Sequence, residues 1–193
     1  MKSNNILLLL FLVAYSVVGQ VKSEREFRIK KSQFPQAAME VAEPYLDGVR
    51  RLRFYKEIDT GRVSYEIKFK KDRLHYSVEY DPDGVLEDIE VRVQPVDLPD
   101  ASWKAIEKHL GTSFPKYRVR KIQQQYPRSA FPSDAAVFRN AFQNLLLPEI
   151  RYELIVRGKG PDGYRDYEIT YDALGGFLSR RESLPQNYDH VLY

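Results

Sequence analysis

Residues 79 to 90 read EYDPDGVLEDIE, with carboxylates at Glu79, Asp81 and Asp83, then Gly84, then Glu90. Counted from Glu79, this is the ligand spacing of an EF-hand calcium loop: acids at positions 1, 3 and 5, Gly at 6 and Glu at 12. Two further sets of residues could do chemistry. Glu66 and Glu153 stand in matching contexts, SYEIKF and RYELIV, and a pair of carboxylates can act as acid and base. His75, His109 and His190 are the only histidines, and they lie far apart in sequence. No GxSxG elbow, HExxH helix or phosphate-cradling glycine loop accompanies them. GKGPDG (158–163) contains glycines but opens no helix, so it reads as a hairpin loop. The chain is therefore expected to be no enzyme, to have no catalytic residues and to need no cofactor.

The elements that must position these residues are strands. In RVSYEIKFK, Val63, Tyr65, Ile67 and Phe69 alternate with polar residues, and so do Leu74, Tyr76, Val78 and Tyr80 in the next run and Ile89, Val91 and Val93 in the third. Period two with one apolar face indicates half-buried antiparallel strands. Lys71-Asp72 and Pro82-Asp83-Gly84 are the expected hairpin turns. An EF-hand loop lies between helices, whereas Glu79 and Glu90 here would lie on two limbs of a hairpin. The reading is a turn, in which Asp bonds its own backbone and Gly accepts a positive φ. No metal is assigned, and the candidate ligands of a weak calcium site remain Glu79, Asp81, Asp83 and Glu90.

The second half of the chain lines up with the first. HYSVEYDPDG (75–84) matches DYEITYDALG (166–175), and FPQAAMEVAEPYL (34–46) matches LPDASWKAIEKHL (98–110). Each of the latter pair reads as a short helix with Pro in its first turn. Pro44 is expected to kink or shorten the first. The second half adds residues 133–147, a helix capped by Ser133 or Asp134 and stopped by Pro148. It would cover a sheet edge, join the halves or dock a partner. The expected fold is α+β: two helix-plus-antiparallel-meander repeats with helices packed on one face of the sheet, and an extra helix inserted in the second. The domains read as a leader over 1–19, a first repeat over 20–95 and a second over 96–193.

The leader follows from Lys2, the apolar run Ile6 to Val18 and the small-residue pattern ending at Gly19. The run is shorter than the ~20 apolar residues a bilayer span requires. The mature chain is thus expected to be periplasmic or secreted, without a membrane span. Cysteine is absent, so no disulfide supports the fold. Removing Lys2 from the 30 basic residues leaves 29 against 27 acidic, which does not point to nucleic acid. The basic runs RRLR (50–53) and YRVRK (117–121) read as solvated sides of strands.

The segments YEIKF…YSVEYDPDGVLE and YELIV…YEITYDALGGFL resemble the PepSY-like domain of secreted bacterial proteins, including those described as similar to β-lactamase inhibitors. The resemblance covers roughly residues 32–184 as two copies. It implies an α+β fold and a binding or inhibitory role outside the cytoplasm, and it brings no catalytic residues. With helices on one face only, the opposite face would be open to water. That polar face carries the expected partner-binding residues Glu66, Lys68, His75, Glu79, Arg92, Glu153, Arg157 and Glu168, and the expected partner is a protein or peptide of the cell envelope. A small-ligand or weak calcium-binding envelope protein is the alternative.

Overall fold

The alternating runs do form strands. The computed structural model describes residues 21–22 and 24–183; the leader expected over 1–19, and His190, lie outside the described residues. The order is β1 (Val21–Lys22), β2 (Glu24–Ile29), α1 (Gln36–Ala42), β3 (Arg50–Asp59), β4 (Arg62–Lys71), β5 (Leu74–Tyr80), β6 (Leu86–Val93), α2 (Asp100–Ser113), β7 (Tyr117–Pro127), α3 (Asp134–Phe142), β8 (Arg151–Gly160), β9 (Gly163–Asp172) and β10 (Phe177–Ser183). Pro44 falls in a short 3₁₀ turn, Glu43–Tyr45, which ends the first helical segment.

The expected pair of helix-plus-meander repeats is overturned. β6 and β7 pair in antiparallel register, from Asp88 opposite Pro127 to Val93 opposite Ile122. β2 to β10 therefore make one continuous antiparallel sheet of nine strands, and the three helices are accessory to it. Helix α1 has seven residues, too few to cover a four-stranded meander alone. The two halves instead share one core. The Tyr45 ring stacks on Phe138 of α3 at 3.9 Å, and Phe142 meets Phe69 and Tyr76 edge-on. Helix α3 thus lies over the middle of the sheet rather than its edge.

The sheet also curls. Register shifts interrupt the pairing at Arg50/Arg53, Glu79/Tyr80, Val119/Lys121 and Phe177/Ser179. Such bulges bend a strand and increase its twist. At the ends, β1 pairs in parallel with β10, while β2, one residue further along the chain, pairs with β3. One N-terminal segment thus pairs at both ends of the sheet and draws them together, covering Glu182 and Ser183 of β10 and the length of β3 beside β2. Arg181 on β10 reaches Asp59 on β3 at 3.3 Å across the same junction. The apolar face, with Ile67, Ile89, Leu154 and Ile169 fully buried, packs under the helices. The polar face lies inside the curl.

Tyrosines fill much of the core. Tyr80, Tyr126, Tyr152 and Tyr171 have no exposed surface, and burial pushes the Tyr76 and Tyr152 hydroxyls up to about 12. The hairpin after β4 turns on Asp72-Arg73, one residue beyond the expected pair, with both residues at positive φ and Lys71 paired to Leu74. Helix α3 is also shorter than expected. Asn144, at φ 48, closes it before Pro148 is reached, with Asn144 N–H donating to Ala141 O and Leu145 N–H to Asn140 O.

Candidate functional site

The candidate calcium segment divides between the loop after β5, which packs against α1, and the inner, polar face. Asp81 does not point at a cation position: its Oδ1 accepts the backbone N–H groups of Asp83 and Val85, each at 2.9 Å. Asp172 does the same for Leu174 and Gly176, at 2.9 and 2.7 Å. YDPDG and YDALG therefore fold into the same Asx-stabilised turn. Of the four candidate calcium ligands, Asp81 and Asp83 stay in this turn, while Glu79 and Glu90 lie back along the strands.

There the structure supplies a third carboxylate that spacing did not single out. Glu79, Asp88 and Glu90 each place an oxygen within 4.8 Å of the others. The register explains how. Glu66 pairs with Glu79 and Glu79 with Asp88, so three carboxylates stand directly opposite one another on β4, β5 and β6. Like charges in that position are destabilising. Burial first, and then the mutual repulsion of Asp88 and Glu90, raise Glu79 well above the usual carboxylate range. Burial and Glu153 do the same to Glu90 and push Asp88 up to about 8. Gln125 donates to Asp88 at 2.9 Å, and Gln123 donates to Glu90. In a second group, Glu26, Glu57 and Glu66, two members are held by Lys68, which lies 2.6 Å from Glu26 and 2.7 Å from Glu66. Burial disfavours the Lys68 charge, but these two carboxylates outweigh it and hold the ammonium protonated.

The opposite end of the same face is basic. Arg51, Arg53, Lys68, His75, Arg92 and Lys121 line an open cavity of about 270 Å³, together with Tyr55, Ser77 and Gln123. Cross-strand pairing sets the order: Arg53 opposite Lys68, Lys68 opposite Ser77, and Arg92 opposite Gln123. Burial, followed by Lys70, Arg92 and Arg51, lowers the His75 pKa.

The expected partner-binding residues therefore separate. Lys68, His75 and Arg92 come together in the cavity. Glu66 and Glu168 are only 3 % exposed, so they cannot present themselves to a partner; Glu168 is paired with Arg181 inside the curl. Glu79 and Glu153 are half-buried in the acidic region, and Arg157 sits apart, over the Tyr164 ring. The expectation of a polar face fully open to water fails because the sheet wraps round it. Reading by sequence also missed Arg51, Arg53 and Lys121, although the runs RRLR and YRVRK contained them. Asp88 was legible too, since it shares a strand face with Glu90.

Comparison places the fold. The chain shares the fold of solved DUF2874 proteins. One, from Bacteroides ovatus, has a TM-score of 0.51 at 13% identity, over 77% of this chain and 86% of that one. A second, from Bacteroides uniformis, has a TM-score of 0.51 at 10% identity, over 77% and 89% of the two chains. A protein from Bacteroides fragilis described as BLIP-like has a TM-score of 0.50 at 14% identity, over 83% and 93%. No protein-family model and no curated protein matches the sequence. Among the described residues, no helix is long and apolar enough to cross a membrane.

Proposed function

We propose that this chain is an exported, non-enzymatic binding module that engages a protein or peptide at the basic end of its polar sheet face, inhibition being one form such binding could take. The export leader read from residues 1–19 supports the compartment. The observation that carries the reading is the basic cavity. Most of the polar face is enclosed, and this end combines solvent access with clustered charge of one sign. The chemistry of the cavity fits binding better than turnover. Within the cavity Ser77 lies two residues from His75, but its Oγ has no hydrogen-bond partner; the Ser113 Oγ that lies 3.3 Å from His109 Nε2 is outside the cavity. A serine nucleophile needs an adjacent base. The expected ligand is an acidic segment, because complementary potential selects partners and speeds encounter.

A fluorescently labelled Glu-rich peptide should bind at low ionic strength, and a Lys-rich peptide of equal length should not. Arg53→Glu with Arg92→Glu should weaken the acidic peptide by about tenfold or more, the scale of 1.4 kcal/mol. Equal binding of both peptides, or unchanged affinity in the double variant, would refute the reading. Arg53 and Arg92 are both exposed, so the variants should keep the fold.

One observation favours a second reading, a weak divalent-cation site. The convergent oxygens of Glu79, Asp88 and Glu90 suit a hard cation such as calcium. Calorimetry with millimolar calcium should then show heat and a rise in melting temperature, both lost in Glu79→Gln. Absence of both in the wild type removes this reading and leaves the first untouched.

A further inference from the structure

Resting on the cavity reading above, we infer that the basic cavity is a site for a compact oxyanion, of carboxylate, phosphate or sulfate chemistry, seated by Arg53, Arg92 and Lys121 with the Ser77 hydroxyl at its floor. Four observations carry this.

The cations hold no ion pair, although Lys121 acts through space on Glu90. Arg51, Arg53, Arg92 and Lys121 form no ion pair with a carboxylate among the described residues, whereas Lys68, Arg62, Arg128, Arg165 and Arg181 each hold one. Lys68 lines the same cavity, but its ammonium is already committed to Glu26 and Glu66, so the positive charge outside ion pairs sits on the other four. Guanidinium groups suit this ligand because their planar forks match an oxyanion in two-point contact.

The floor offers a hydroxyl. Ser77 is only 5 % exposed, and its Oγ is buried without a partner. A buried hydroxyl left unbonded is destabilising, and an oxyanion would accept its hydrogen bond.

The field is positive where the ligand would sit. After burial, the charges of Lys70 on β4, Arg92 on β6 and Arg51 on β3 lower the His75 pKa. Finally, at about 270 Å³ the cavity lies just below the usual range for drug-sized ligands, which fits a small anion or one anionic group of a larger molecule.

The test uses the folded mature chain with inorganic phosphate, sulfate and acetate as three separate probes, read by NMR at the His75 ring and by calorimetry. A bound anion should raise the His75 titration midpoint, while His109, which lies beside Tyr171 and away from the cavity, should not move. The tightest of the three probes names the ligand class. Arg92→Ala and Lys121→Ala should each weaken binding by about tenfold, and Ser77→Ala by less, with the melting temperature of each variant confirming a folded chain. No movement at His75 with any probe at tens of millimolar, or binding indifferent to Arg92→Ala and Lys121→Ala, overturns the inference. Oxyanion binding without acidic-peptide binding keeps this inference and sinks the peptide reading. Peptide binding that Arg53→Glu with Arg92→Glu abolishes, with no oxyanion bound, does the reverse.

Discussion

Gly84→Ala should destabilise the protein by roughly 2–4 kcal/mol, the sum of a left-handed backbone penalty and an overpacking penalty. Gly84 has φ +83, a region that a residue with Cβ enters only at a cost. Its surroundings add the larger part. A methyl group there would lie 2.6 Å from the backbone nitrogen of Ala38 and 2.7 Å from the Ala37 Cβ, both in helix α1. A backbone atom cannot rotate away, so the helix or the turn must move. Gly61, at φ +86 in the β3–β4 turn, is the control: an added methyl there meets nothing within 4 Å. Gly61→Ala should therefore lose only the backbone part, about 1 kcal/mol. In a chain of this length the difference appears as a melting temperature lower by roughly 5–15 °C for Gly84→Ala and by a few degrees for Gly61→Ala. Equal losses would mean that α1 does not rest on the turn. A loss at Gly84 that calcium reverses would return that loop to a metal role.

This glycine shows what the sequence could disclose and what it could not. Both a calcium loop and a hairpin turn want Gly84 at positive φ, so residue type alone does not separate them. The alternation of Tyr76, Val78 and Tyr80 with polar neighbours separates them, because it makes the flanks strands. Local rules of this kind also placed Tyr76 and Tyr80 on the buried face and narrowed the α3 cap to Ser133 or Asp134; Ser133 takes it, its Oγ accepting the Ala136 N–H at 3.2 Å. What escaped is set by long-range geometry. Pairing of β6 with β7 merges the halves into one sheet, and nothing in either strand's own pattern announces its partner. The curl depends on bulges such as the one at Arg50/Arg53, where Arg51 takes φ 57. Once the sheet wraps, Glu66 changes from a solvated strand residue to a buried one, and Arg53 and Lys121, 68 positions apart in number, come to line one cavity. The charges of RRLR and YRVRK were visible as charges; their convergence was not.

Raising the pH from about 7 to 9 should destabilise the wild-type protein, and Asp88→Asn should remove most of that slope. Asp88 is raised from 3.8 to about 8 by burial, by Glu153 and Glu87, and to a lesser degree by Glu66, with only the Gln125 hydrogen bond opposing. Glu79 and Glu90, in the same cluster, are raised by burial first and then by neighbouring carboxylates, Asp88 and Glu90 acting on Glu79, and Glu153 and Asp88 acting on Glu90. The sign follows directly. Between the unfolded and folded pKa values the native state holds protons that the unfolded state has released, so stability falls as pH rises. The contribution is complete below about pH 4 and is lost as pH passes through the folded value near 8. Each unit of separation corresponds to about 1.4 kcal/mol, and sharing among three coupled groups leaves an expected change of a few kcal/mol across the whole window. His75 and His109 act in the opposite sense, since burial and neighbouring cations lower both. Above about pH 7 they are neutral in either state, so the slope there belongs to the carboxylates. Asn at position 88 can still accept the Gln125 N–H, so the packing survives while the titrating group is gone. Denaturant unfolding in the presence of a chelator should show wild-type stability falling through this range and Asp88→Asn nearly flat, with the variant the more stable of the two at pH 9. A wild-type curve that is level or rising there would mean that the cluster is ionised throughout and that other charges already neutralise it. If millimolar calcium abolishes the wild-type slope, the cation has taken the place of the protons, and Glu79, Asp88 and Glu90 are its ligands.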